Sequence, residues 1–133
     1  MNMRMKNEKG FTLVEIIAVL VILGIMAAVA VPKYLSMVED ARSQSAQGAI
    51  AEVKGRLSAA QAKYMMNTGG TAPSNTELFT YATGANGYGS AANLTNLGSD
   101  FGVTVASGNP ITISVTSVGG QPASVSGNFT AAK

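Results

Sequence analysis

Phe11 to Pro32 contains one charged residue, Glu15, and no other charge follows until Lys33. The run is 22 residues long. As a helix it would extend about 33 Å, against about 30 Å for the hydrocarbon core of a bilayer. Ile16, Ile17, Val19, Leu20, Val21, Ile22, Leu23 and Ile25 leave no polar face. A helix that is apolar all round lies in lipid or in a bundle of its own kind. Glu15 is the exception within it. A charge at the centre of a membrane helix costs about 2.5–3.5 kcal/mol on insertion scales, so an acid in such a run marks a functional site.

The flanks sharpen this. Arg4, Lys6 and Lys9 precede Gly10 and face only Glu8, so the first ten residues carry +2. The whole chain is also +2, which leaves the remainder neutral. The basic excess belongs to the head end, expected on the cytoplasmic side of a membrane. It is not the clustered basic face of a nucleic-acid binder, and no nucleic-acid partner is expected. The 133 residues include no Cys and no His. Within this chain that excludes a zinc site of the usual ligands, a thiol nucleophile and a Ser-His triad. We expect no enzyme, no catalytic residue, no cofactor and no metal.

From Lys33 the pattern becomes one-sided. Leu35, Val38, Ala46, Ala49, Ile50, Val53, Leu57, Ala60 and Tyr64 recur at steps near three and four, with polar residues between them. This is an amphipathic helix by period. Glu52 stands four residues before Arg56, the favourable orientation for a helical ion pair. Thr68-Gly69-Gly70-Thr71-Ala72-Pro73 should end the helix near Asn67. One rod from about Phe11 to about Met66 is the economical reading. Pro32 inside it removes one backbone bond, so a kink or local break is expected there, and Gly24 is a second weak point.

Residues 68–100 read mostly as loop, with a possible helical turn from Glu77 to Ala82. From Phe101 the period changes to two. Phe101, Val103 and Val105 alternate with smaller or polar residues, as do Ile111, Ile113 and Val115, and then, more weakly, Ala123 and Val125 ahead of Phe129. Ser107-Gly108-Asn109-Pro110 and Gly119-Gly120-Gln121-Pro122 separate them, giving a three-stranded antiparallel meander over 101–131. Three strands alone are marginal, and the amphipathic half of the rod offers the stripe that would cover them. The fold class is therefore α+β: one long N-terminal helix, apolar then amphipathic, packed on a small antiparallel three-stranded sheet.

The basic leader, Lys9-Gly10, then Phe11-Thr12-Leu13-Val14-Glu15 and about twenty apolar residues, resembles a type IV prepilin or a type II secretion pseudopilin. The likeness is close over about Met1 to Tyr34 and includes the Pro32 position. It implies the type IV pilin fold and a division into leader 1–10, a membrane and assembly half 11–32, and a periplasmic or extracellular head 33–133 whose helix half is 33–67. By this resemblance Gly10 is the last leader residue, cut by a prepilin peptidase. Phe11 becomes the N-methylated new N-terminus. Glu15 pairs with the terminal ammonium of a neighbouring subunit, and Gly24 and Pro32 bound a stretch that loses helicity in filaments. The implied partners are further copies of the chain, inner-membrane lipid before assembly, a prepilin peptidase/N-methyltransferase, and a pilus or secretion assembly platform. The implied location is the inner membrane first, then a filament at the cell surface or, for a pseudopilin, the periplasm. The physics agrees, because an amine released at Phe11 and the Glu15 carboxylate are far better paired than alone in lipid. On one straight helix they lie about 6 Å apart along the axis, so a pair within one chain is also open.

Plainer readings stand beside this one. Ala28-Val29-Ala30 offers a signal-peptidase site, but the apolar run exceeds the usual 7–15 residues and Glu15 breaks its front. A plain single-span anchor with a ligand-binding head explains the length but not the acid. Ala41, Gly48, Gly55 and Ala62 form a small-residue stripe, a groove for a neighbour or the sheet, or else compositional chance. The absence of Cys removes the disulfide that closes the C-terminal region of many pilins, so packing, hydrogen bonds or neighbours must hold it.

Overall fold

The computed structural model describes residues 10–133. Leader residues 1–9, with Arg4, Lys6, Glu8 and Lys9, lie outside the described residues. The element order is α1 (Leu13–Asn67), α2 (Asn75–Thr83), α3 (Ala91–Leu94), β1 (Phe101–Ala106), β2 (Ile111–Val118) and β3 (Gln121–Phe129). This is the α+β arrangement expected, with an N-terminal helix and a three-stranded antiparallel sheet in the order β1-β2-β3.

By its contacts the chain divides after Val38. In the first unit, helix residues through Met37 expose their side chains, with Leu20 at 62% and Ile25 at 64%. Helix α1 is assigned without interruption through Gly24 and Pro32. The local break expected at Pro32 is thus not present in the single chain. A proline removes one backbone donor, and the turns on either side keep theirs.

In the second unit α1 buries one stripe: Ala46, Ala49, Ile50, Val53, Leu57 and Ala60. Leu35, counted in that stripe by period, is instead 57% exposed. The compact unit begins at Glu39. The stripe covers β2, whose Ile111, Ile113 and Val115 are buried while Thr112, Ser114 and Thr116 alternate to the other face. Contact is close at Gly127 on β3, where a Cβ would lie 2.6 Å from Ile50 Cγ2. A side chain there would force Ile50 to shift. Among the described residues nothing lies within 4 Å of a Cβ placed at Gly48 or Gly55, so the sheet does not approach the small-residue stripe at its glycines.

Helix α1 ends at Asn67, where the Gly70 amide donates to the Met65 carbonyl at 2.7 Å, the six-to-one bond of a glycine C-cap. Strands β2 and β3 join through Gly119 and Gly120, at φ 59° and 74°, the double left-handed turn that suits the twist of a two-residue hairpin. Strand β3 begins at Gln121 and includes Pro122, two residues earlier than the alternation suggests. An edge strand tolerates proline because one side of it needs no donor.

Residues 68–100 hold more structure than the loop expected. Ser74 caps α2: its Oγ accepts from the Glu77 amide at 3.3 Å, and Glu77 Oε2 accepts from the Ser74 amide at 2.8 Å. That box fixes a nine-residue helix burying Leu78 and Ala82. Helix α3 buries Leu94. Arg56 secures the chain after it. Its Nε meets Glu52 Oε1 at 3.2 Å, the pair read from spacing, and its Nη1 donates to the carbonyls of Leu94 and Asn96 at 3.1 and 3.0 Å.

Two buried amides hold the last residues. Asn75 Nδ2 donates to Asn109 Oδ1 at 2.5 Å, and Asn75 Oδ1 accepts from the Ala131 amide at 2.6 Å. Gln61 takes both groups of Ala132: its Nε2 donates to the carbonyl at 3.2 Å and its Oε1 accepts from the amide at 3.3 Å. Hydrogen bonds from α1 and α2 therefore restrain a segment that carries no disulfide.

Candidate functional site: the start of helix α1

Gly10, Phe11 and Thr12 precede the helix, and Leu13 is its first residue. Phe11 is 84% exposed. The Thr12 carbonyl accepts the first helical bond, from the Ile16 amide at 3.2 Å. Thr12 Oγ1 accepts from the Glu15 amide at 3.2 Å, and Glu15 Oε2 accepts from the Thr12 amide at 3.4 Å. The arrangement is a capping box, in which the first and fourth residues satisfy each other's unpaired amides. The carboxylate also sits at the positive end of the helix dipole, where an anion is favoured.

Glu15 therefore has a role in its own chain before any partner arrives. Its carboxylate turns back past the helix start and reaches the amide that joins Phe11 to Thr12. The structure brings Phe11, Thr12 and Glu15 together around the first turn, with Gly10 next in the chain. Thr12 was not singled out from sequence. The signal was present, because Thr12-Leu13-Val14-Glu15 ahead of an apolar run has the spacing of a capping box.

Gly24 and Pro32 lie farther along the same exposed helix. Among the described residues nothing comes within 4 Å of a Cβ placed at Gly24, so their packing does not require glycine there. The helix is long and apolar enough to cross a membrane. Among the described residues no group of three His, Cys, Asp or Glu is placed to hold a metal ion.

A helix that begins in lipid-compatible sequence behind a Gly-Phe junction, keeps one acid in its first turn, and ends packed on a three-stranded meander defines a type IV pilin-like protein. Over its first stretch the chain is similar to pilins and pseudopilins alike. Residues 5–31 match the prokaryotic N-terminal methylation motif. Over 55 residues the chain is 42% identical to the type II secretion system core protein G of Pseudomonas aeruginosa, covering 41% of this chain and 39% of that protein. It is 44% identical over 57 residues to a fimbrial protein of Pseudomonas aeruginosa, covering 43% and 35%. It is 38% identical over 56 residues to the type IV major alpha-pilin of Moraxella bovis, covering 42% and 35%. These matches span well under half the length of each relative. No solved structure matches the chain.

Proposed function

We propose that this chain is a structural subunit, not an enzyme, which is stored in the inner membrane as a precursor and polymerises into a type IV pilus through α1. The observation that carries this reading is Glu15: one acid in the first turn of an exposed apolar helix, directly behind the Gly10–Phe11 bond. A prepilin peptidase cuts that bond, and Phe11 becomes the methylated N-terminus. The new ammonium then meets a Glu15 carboxylate of a neighbouring copy, while the apolar runs of many copies cover one another and leave lipid. An acid unpaired in that setting is costly, and paired it fixes the axial offset between copies. Gly24 and Pro32 bound the stretch that gives up helical bonds when the rods pack. The assembly platform supplies the force for extraction, and the heads form the filament surface.

A second reading shares every step to this point. The similarity to core protein G favours a pseudopilus, a short periplasmic filament of the type II secretion system. Electron microscopy of filaments sheared from cells, with mass spectrometry of their protein, tests both. Surface filaments built of a chain beginning at N-methyl-Phe11 are expected for the pilus. Processed protein that stays in the periplasm favours the pseudopilus. A mature chain starting at Val31 would establish ordinary signal-peptide cleavage and end both readings.

A further inference from the structure

An open cleft of about 460 Å³ lies where the end of α1 meets α2. Helix α1 supplies Tyr64, α2 supplies Glu77, Thr80 and Tyr81, and the turn after α2 supplies Asn86. The two rings are half-buried and meet edge to face, with centroids 5.3 Å apart and planes at 88°. Asn67 Nδ2 donates to the Tyr81 hydroxyl at 2.8 Å, which holds that ring in place. Glu77 stands four residues before Tyr81 on α2. Residues four apart are neighbours on a helix surface, so the carboxylate lies beside the ring.

The cleft has one sign of charge. Glu77 is the charged residue of its lining, and Thr68–Ala132 holds no base at all. The Ser74 amide, and then the Ser74 hydroxyl, hold the Glu77 carboxyl below its ordinary value, so it is ionised at neutral pH. Its Oε2 takes the Ser74 amide, and among the described residues no donor meets Oε1. Lys63, on α1, is occupied elsewhere: its Nζ donates to the Asn86 carbonyl at 2.7 Å, and it does not line the cleft. The tyrosine faces add partial negative charge of their own.

We propose that this cleft binds a small organic cation of the quaternary ammonium class, seated against Tyr64 and Tyr81 with Glu77 as its counter-charge. Chemistry selects the class. The lining is mostly apolar, which suits a bulky, weakly hydrated cation with no N–H to satisfy. A compact ammonium such as that of lysine would lose its water there for few acceptors. Aromatic faces are the usual partners of methylated ammonium groups. The volume falls within the range of about 300–1,000 Å³ common to small-molecule sites. The cleft is open to solvent, so binding is weak, in the millimolar range. It lies wholly in the head and does not rest on the polymer reading.

The probe is tetramethylammonium chloride, added to the full-length chain in uncharged micelles at constant ionic strength. tert-Butanol serves as a neutral molecule of similar shape. NMR follows the ring resonances of the four tyrosines. Saturating shifts are expected at Tyr64 and Tyr81, with Tyr34 and Tyr88 unmoved, and tert-butanol should bind several-fold more weakly. Glu77→Gln should weaken binding roughly two- to fivefold, the scale of an exposed charge contact. Glutamine keeps the capping acceptor, so a loss there is not a loss of the head. Thr80→Arg starts from an exposed helix position and tethers a cation in the cleft, which should abolish binding. Non-saturating shifts, equal shifts at all the tyrosines, equal binding of tert-butanol, or unchanged affinity in Glu77→Gln would each overturn the proposal.

Discussion

Helix α1 is one element with two surroundings. Leu13–Val38 presents apolar side chains on every face and buries none of them. Glu39–Asn67 buries a single stripe and turns its polar side outward. The backbone is helical in both, so what differs is the origin of the cover. The second half is covered within the chain by β2, α2 and α3. Among the described residues nothing covers the first half, which is long and apolar enough to cross a membrane. A helix shared between two such settings suits a subunit that stays folded in its head while exchanging membrane for polymer.

Substitutions of similar size in the two halves should separate them most widely. Leu57 is fully buried and Leu20 is 62% exposed. Leu57→Ala should destabilise the head by about 2–5 kcal/mol, the usual cost of a cavity at such a position. Leu20→Ala should leave head stability unchanged. Denaturant unfolding of the detergent-solubilised chain, followed by a head-specific signal, checks both. Equal effects would mean the division after Val38 is not an energetic one.

The next effect concerns the polar clamp that holds the last residues. Asn75→Ala leaves the buried Ala131 amide without its partner, which costs about 1–3 kcal/mol. It should also loosen Ala131 and Ala132 selectively. Hydrogen exchange should show faster exchange at the Ala131 amide, with protection across Ile111–Val115 largely kept. Uniform loss of protection would mean that these bonds support the whole head and not the tail.

The smallest expected effect lies at the N-terminus of α2. The Ser74 amide, and then the Ser74 hydroxyl, hold the Glu77 carboxyl below its ordinary value. A depressed carboxyl contributes stability above its unfolded-state value and loses it as pH falls through its folded-state value. Wild-type head stability should therefore fall more than that of Glu77→Gln on acidification through the carboxylate range. Thermal unfolding of both proteins across that range checks the sign. Parallel curves would remove the cap from the account.

Much of this was legible in local pattern. The two-residue alternation located β2, the three-and-four spacing found the buried stripe from Ala46 onward, and Gly69-Gly70 marked the end of α1. Leu35 fits the same period and stays exposed, because periodicity records the side of a helix and not how far the sheet reaches along it. The clamp was not legible. Gln61 and Asn75 bond to residues 71 and 56 positions away, and an amide on a helix does not announce a distant partner. The two capping boxes are legible as a hydroxyl residue three positions ahead of a glutamate. Ser74 opens one of them inside a stretch whose composition is that of a loop. At Thr12 the cost of a charge in lipid marks Glu15 and says nothing of its partner. The structure places Gly10, Phe11 and Glu15 around the first turn of α1, and Thr12 completes the local geometry there.

That geometry also gives the sharpest test of the central claim, that the Glu15 charge drives assembly by pairing with a released ammonium. Alanine at position 15 would remove cap and charge together. Glu15→Gln separates them, since glutamine at the fourth position of a capping box still accepts from the first amide. The measurement is the number of filaments per cell for Glu15→Gln, alongside its membrane fraction and the mass of its N-terminus. The account predicts normal membrane retention, normal cleavage after Gly10, and loss of filaments. Wild-type filament numbers from processed Glu15→Gln protein would contradict it, leaving Glu15 as a helix cap and nothing more.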